Sequence, residues 1–174
     1  RGLGTVATHP WLLTIVIRPS YPNTGYGYIQ YDEEKAYANN DSIYEVVNFT
    51  EKPALEMAQQ FIASGDFLWN AGIFMWSLET IMTAFEQYLP EINDLFKQSE
   101  PLLNTENEME YIKTIYQVCR NISIDYGIME KAENVHVYAA DFGWSDLGTW
   151  GALYDFRKKD ENGNSIVGNR VKTY

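Results

Sequence analysis

The chain has 174 residues, 45% of them hydrophobic and 21% charged, and a net charge of −11 at neutral pH. This is the composition of a globular domain with a substantial core rather than a disordered chain, and the negative charge argues against a nucleic-acid backbone as main partner. A single cysteine, Cys119, with two histidines excludes an internal disulfide and a Cys/His zinc site, and no apolar run reaches the roughly 20 residues of a membrane span. The start, Arg1-Gly2-Leu3-Gly4, has neither an initiator Met nor a signal-peptide pattern and reads as a cut inside a longer protein; cysteine usage points to a reducing, cytoplasmic compartment. Leu12–Ile17 is a continuous apolar, β-branched run, the pattern of a buried strand inside a parallel sheet. Pro19 and Pro22 end it. A glycine-bearing loop over residues 23–27 leads to a short strand over 28–31, a polar hairpin or excursion over 32–42, and another strand over 43–50.

Pro53 suits the first turn of a helix that carries Ala54, Met57, Ala58, Phe61 and Ile62 at helical spacing and stops at Gly65. A buried strand is expected over residues 71–76. Ser77 caps a helix whose stripe is Leu78, Ile81, Met82, Phe85 and Leu89, up to Pro90. Further helices are expected over 91–98 and 106–118, a short one over 124–131, and a strand over 135–140. Strands alternating with helices indicate an α/β layered domain. From Gly163 the small polar and β-branched residues suggest a coil of a β-solenoid, which needs neighbours to bury its face.

Five segments offer chemistry. Residues 142–151 place one carboxylate, Asp146, between two tryptophans and two glycines. A small acid at such a turn suits a hard cation such as Mg²⁺, or it caps the helix that begins near Thr149 and Trp150. Glu51-Lys52-Pro53 lies where a strand gives way to a helix, the place where α/β folds bind ligands. Lys52 can meet a phosphate and Glu51 can accept from sugar hydroxyls; the alternative is a solvated pair at a helix start. Asn70 interrupts an apolar stretch, as a ligand-binding amide or as a turn residue before a strand, and Gly72 suggests a close backbone approach or tight packing. Gly27 offers a backbone N–H or simply makes a turn. Asp125 is a ligand group or a first-turn acid. His136, among Val135, Val137 and Tyr138, reads as structural, and the tryptophans read as core or rim residues. No Walker-type phosphate loop is present.

In order, Arg18-Pro19, Thr24-Gly25-Tyr26-Gly27-Tyr28-Ile29, Phe49-Thr50-Glu51-Lys52-Pro53, Leu68-Trp69-Asn70-Ala71-Gly72-Ile73-Phe74, Ser123-Ile124-Asp125-Tyr126, Met129-Glu130-Lys131 and residues 142–150 resemble the bacterial mannose-1-phosphate guanylyltransferases, or GDP-mannose pyrophosphorylases. The resemblance implies a Rossmann-like nucleotidyltransferase layered α/β fold, here its sugar-binding half over residues 1–158, with a linker and the start of a β-helical tail over 159–174. It implies the reaction of GTP with mannose 1-phosphate to give GDP-mannose and pyrophosphate, assisted by Mg²⁺. Matched residue by residue, it makes Asp146 a metal-binding acid and Lys52 the lysine that meets the sugar phosphate. It gives Glu51, Asn70 and Gly27 contacts to the sugar and places Asp125 in a motif of unassigned role. The family's Gly-rich loop with its Arg, and its first metal-binding Asp, are absent, so the fragment alone is expected not to turn over GTP. Membrane and nucleic acid are not expected as partners, and a homodimer is left open. Another sugar-1-phosphate nucleotidyltransferase, and a non-catalytic sugar-phosphate-binding or regulatory homologue, remain the alternatives.

Overall fold

The computed structural model describes residues 2–37 and 40–168, which form two compact units divided between Asp141 and Phe142. The boundary expected after residue 158 falls inside the second unit.

The first unit is built on strands β1 (Leu12–Ile17), β2 (Tyr28–Tyr37), β3 (Asn40–Thr50), β4 (Phe67–Met75) and β5 (Val135–Ala139). They close into a ring in the order β1-β4-β2-β3-β5. Only β1 and β5 run parallel; the other pairings are antiparallel. An α/β fold is therefore present, but in place of an open Rossmann-like sheet these residues form a mixed, closed one. The apolar run of β1 misled because burial on both faces looks the same whether a neighbour runs parallel or antiparallel. In the polar stretch after Tyr31, β2 continues to Tyr37 and pairs antiparallel with β3; the expected turn at residues 38 and 39 lies outside the described residues.

Between the strands lie helices α2 (Leu55–Ser64), α3 (Leu78–Tyr88), α4 (Pro90–Lys97) and α5 (Glu108–Val118), after a short α1 (Gly2–Val6) that the sequence pattern did not indicate. Their ends follow local chemistry. Gly65 ends α2 with φ 84°, and Ser77 caps α3 by accepting from the Thr80 N–H at 3.1 Å. Pro90 does not merely close α3; it opens α4 at its first position, where the missing N–H costs nothing. Pro53 lies just before the Ala54 N-cap rather than in the first turn.

One face of the strands carries Leu12, Val16, Ile29, Leu68, Val135 and Val137, packed against Ile81, Ala84, Leu89 and Ile92 of the helical layer. Ile128 and Met129 join this core from a π-helical turn, Asp125–Met129. A smaller cluster, Val6, Leu13 and Ile43, fills the other side. There Trp11 stacks on His136 with ring centroids 3.9 Å apart, and His9 meets the Tyr37 hydroxyl at 2.8 Å. His136 is thus a packing residue, and burial holds its pKa below the ordinary 6.5.

In the second unit Thr149 caps helix α6 (Trp150–Phe156), accepting from the Ala152 N–H at 3.1 Å. Residues 159–168 contain no strand; the rest of the expected β-helical start lies outside the described residues.

Candidate functional site

The site begins with an irregularity in β4. Val16 of β1 faces Asn70 and Thr14 faces Phe74, so residues 71–73 of β4 oppose Ile15 alone. The bulge passes through Gly72 at φ 68°, a left-handed conformation that favours glycine. Asn70 is therefore a strand residue, not a turn before one. β4 starts at Phe67, four positions earlier than expected, because the bulge breaks the alternation that marks a strand.

Asn70 is 8% exposed and held at both ends of its amide. Its Oδ1 accepts from the Thr14 hydroxyl at 2.8 Å and from the Gly72 N–H at 3.2 Å. Its Nδ2 donates to Asp125 Oδ1 at 3.0 Å. Asp125 opens the π-helical turn, an irregular element often found at functional positions.

Gly27 lies beside them at the start of β2; its carbonyl accepts from the Asn70 N–H at 2.8 Å. A Cβ on Gly27 would run into Glu51 Oε2 and press to 3.3 Å on the Cβ of Asn70. Only glycine lets this backbone approach the Glu51 carboxylate so closely. Glu51 follows the end of β3, with its backbone N–H donating to Glu130 Oε1 at 3.0 Å. The Tyr126 hydroxyl lies 3.5 Å from the Glu51 carbonyl oxygen. The next residue, Lys52, donates its N–H to the Tyr26 carbonyl at 3.2 Å and sits at φ 49°. A non-glycine residue in this region costs on the order of 1 kcal/mol or more, and such strain concentrates at binding sites. Pro53 adds to the constraint by disfavouring the right-handed helical alternative for the residue before it.

Lys52 Nζ and Glu51 Oε1 are 3.1 Å apart, but the two side chains differ in setting: 56% of the lysine side chain is exposed and 8% of the glutamate. Burial pushes the Glu51 carboxyl above its ordinary 4.5; Lys52 opposes this, while the charges of Asp125 and Glu130 reinforce it. Lys52 is held above its ordinary 10.5 by the hydrogen bond and charge of Glu51. The pair attracts, yet desolvation of the carboxylate outweighs that attraction at Glu51. The corner thus has two ends. One holds Glu51, Asn70, Asp125 and Glu130, rich in acceptors suited to hydroxyl groups. The other is a single exposed ammonium, suited to a phosphate.

Five of the six candidate residues are accounted for here: Gly27, Glu51, Lys52, Asn70 and Asp125 form one cluster. Thr14 and Glu130 belong to it as well and were not singled out. Thr14 is hidden in the apolar run of β1, and Glu130 reads as one more helix-surface acid. Trp69, next to Asn70, is not laid open for stacking: it is 5% exposed, with the rings of Tyr21 and Tyr26 set nearly perpendicular to it.

The sixth candidate, Asp146, belongs to the second unit. It is exposed, and its Oδ1 accepts from the Gly148 N–H at 3.1 Å. Thr149, not Asp146, caps α6. Among the described residues no three acidic, histidine or cysteine side chains are grouped to hold a metal ion. Magnesium takes about six oxygens in near-octahedral geometry. Asp146 presents one exposed carboxylate.

Residues 6–163 match the family model described as Nucleotidyl transferase. The chain is 36% identical over 163 residues to a mannose-1-phosphate guanylyltransferase of Escherichia coli, which covers 92% of this chain and 35% of that protein. It is 35% identical over 164 residues to the mannose-1-phosphate guanylyltransferase of Klebsiella pneumoniae, covering 90% and 33%. The crystal structure of a mannose-1-phosphate geranyltransferase from Thermus thermophilus superposes with a TM-score of 0.72 at 31% identity, over 88% of this chain and 42% of that one. The chain spans about a third of the length of the curated relatives it matches. With the family pattern running through nearly all of the first unit and into the second, the chain belongs to the nucleotidyl transferase family.

Proposed function

We propose that the Gly27–Glu51–Asn70–Asp125 corner is the sugar-phosphate site of a mannose-1-phosphate guanylyltransferase. The observation that carries this reading is the convergence of a crowded glycine, a nearly buried glutamate and a fixed asparagine beside one exposed lysine. The two ends of the corner give a sugar 1-phosphate one sensible orientation. Three carboxylates, Glu51, Asp125 and Glu130, repel a phosphate but accept from neutral hydroxyls. Lys52 attracts the phosphate as a compact, strongly hydrated point charge.

In the reaction the phosphate oxygen of mannose 1-phosphate attacks the α-phosphorus of GTP, the new P–O bond forms, and pyrophosphate leaves. Such a transfer depends on in-line positioning and charge neutralisation more than on covalent help from the protein. This chain's part is positioning. Glu51, Asn70 and the Gly27 backbone orient the hexose, and Lys52 holds the attacking phosphate. Asp146 is proposed as one ligand of Mg²⁺, which when bound neutralises charge on the phosphates. The sequence contains no Gly-rich loop with an Arg for the triphosphate of GTP. The 174 residues are accordingly proposed to bind mannose 1-phosphate without transferring a nucleotide. The same reading puts the reaction in the cytoplasm, takes residues after 158 as the lead into a β-helical domain, and leaves a homodimer open.

Calorimetric titration with mannose 1-phosphate, mannose and inorganic phosphate tests it. Mannose 1-phosphate should bind more tightly than either half alone. Equal affinity for phosphate and sugar phosphate, or no binding, would contradict the reading. Pyrophosphate release from GTP, Mg²⁺ and mannose 1-phosphate would contradict the binding-only role of these residues.

A further inference from the structure

Thr14 is fully buried in the middle of β1, and its hydroxyl lies nearest Asn70 Oδ1, at 2.8 Å, with the Ile73 and Ile15 carbonyls farther off at 3.4 and 3.5 Å. Three partners surround the Asn70 carboxamide, and one of them leaves no choice of role. The Gly72 backbone N–H can only donate, so the amide atom 3.2 Å from it must be the oxygen. The other amide atom, 3.0 Å from Asp125 Oδ1, is then the NH₂ group, which donates to it. The Thr14 hydroxyl, 2.8 Å from the same oxygen, must then donate. Asn70 Oδ1 has both acceptor positions filled, and one of the two Nδ2 hydrogens is used. What the residue can offer a ligand is one N–H, beside the second oxygen of Asp125.

We propose that Thr14 is a positioning residue of the sugar site: its hydroxyl locks the Asn70 carboxamide so that the site presents a donor from Asn70 next to an acceptor from Asp125. A donor beside an acceptor matches two neighbouring hydroxyls of a hexose. Without Thr14, Oδ1 keeps only the longer bond from Gly72, and the less tightly held amide can rock away from the geometry that sets its free N–H beside Asp125. Thr14 touches no ligand itself; it acts through Asn70. The inference rests on the sugar-phosphate reading for its functional consequence, but not for the locking of the amide.

The experiment compares wild type with Thr14→Val, Thr14→Ser and Thr14→Ala. Val keeps the branched shape suited to a strand and removes the hydroxyl. Ser and Ala together isolate the hydroxyl from the methyl group if Val proves too crowded to fold. Two quantities are read: affinity for mannose 1-phosphate by calorimetry, and the Asn70 side-chain amide pair in the ¹⁵N-correlated spectrum without ligand, assigned by its loss in Asn70→Ala. Val and Ala should bind roughly five- to tenfold more weakly, the loss expected for one neutral hydrogen bond. They should also shift or broaden the amide pair. Ser should restore both readouts. An unchanged amide pair in Val and Ala, or a Ser variant that behaves like Ala, would overturn the proposal. If wild type binds no mannose 1-phosphate, the sugar-phosphate reading fails, and the ligand-free amide pair alone decides whether Thr14 locks Asn70.

Discussion

The corner around Glu51 and the turn around Asp146 both present a carboxylate at a bend of the chain, but they are held in different ways. The Glu51 backbone N–H is held by Glu130, 79 residues away, and the side chain of neighbouring Asn70 by Thr14 and Asp125, 56 and 55 residues away. The hydrogen bond of Asp146 reaches only two residues along the chain. A side chain locked by long-range contacts is prepared for its ligand before the ligand arrives, and such preorganisation is what gives a site its affinity. An exposed acid held only by a local turn acquires its geometry from whatever it binds. The first corner therefore carries specificity in its fold; Asp146 carries a charge.

The contrast can be broken most sharply at Asn70. Asn70→Asp replaces the donor by a second carboxylate against Asp125, at the 3.0 Å now spanned by a hydrogen bond. Loss of that bond with burial of like charges should cost on the order of 3 kcal/mol in urea unfolding at pH 7 and abolish mannose 1-phosphate binding. The cost should shrink in acid as the two carboxyls share a proton. Gly27→Ala comes next. Its methyl group must displace the Glu51 carboxylate, which can move only by giving up its place beside Lys52. A stability loss of about 1–2 kcal/mol is expected from the crowding. Calorimetry should show a larger effect on mannose 1-phosphate affinity, roughly tenfold or more, because Glu51, proposed to meet the sugar, is itself moved.

Glu51→Gln should act in opposite directions on stability and binding. The folded-state pKa of Glu51 lies above its ordinary value, so the folded chain holds that proton more tightly than the unfolded chain does. Stability from this group is present at low pH and is lost as pH rises from about the ordinary 4.5 through the folded value. Gln stays neutral throughout. The variant should have the higher melting temperature at pH 7, an advantage that disappears well below pH 4.5, and should bind mannose 1-phosphate less well. A melting temperature below wild type at pH 7 would mean that the Lys52 pair, not burial, dominates at Glu51. The smallest effect belongs to the second unit. Thr149→Ala should loosen α6 by about 1 kcal/mol, visible as faster amide exchange in that helix, with no effect on the Glu51 corner.

Local features of the fold were legible in the sequence because they depend on neighbours in the chain. Ser77 as a cap and Gly65 as a stop follow from local capping chemistry, and the strand at Leu12–Ile17 from its continuous apolar, β-branched run. Closure of the sheet was not legible, because strand pairing is a long-range choice that an apolar run leaves open. Candidate residues such as Glu51 and Asn70 stood out as polar groups at unusual places. Their supporting residues did not: a threonine in a strand and an acid on a helical turn are ordinary until the fold brings them to Asn70 and to the Glu51 backbone. The bulge at Gly72 hid the first half of β4 for a related reason, since the extra residues that re-aim Asn70 also erase the strand's period.

The first unit is proposed to carry the sugar-phosphate site by itself, with Asp146 contributing only through a metal ion. Titration of mannose 1-phosphate in EDTA, with wild type, Asp146→Asn and Asn70→Asp side by side, tests it most directly. Wild type and Asp146→Asn should bind with equal affinity and Asn70→Asp should not bind. Loss of binding in Asp146→Asn without metal, or retention in Asn70→Asp, would contradict it.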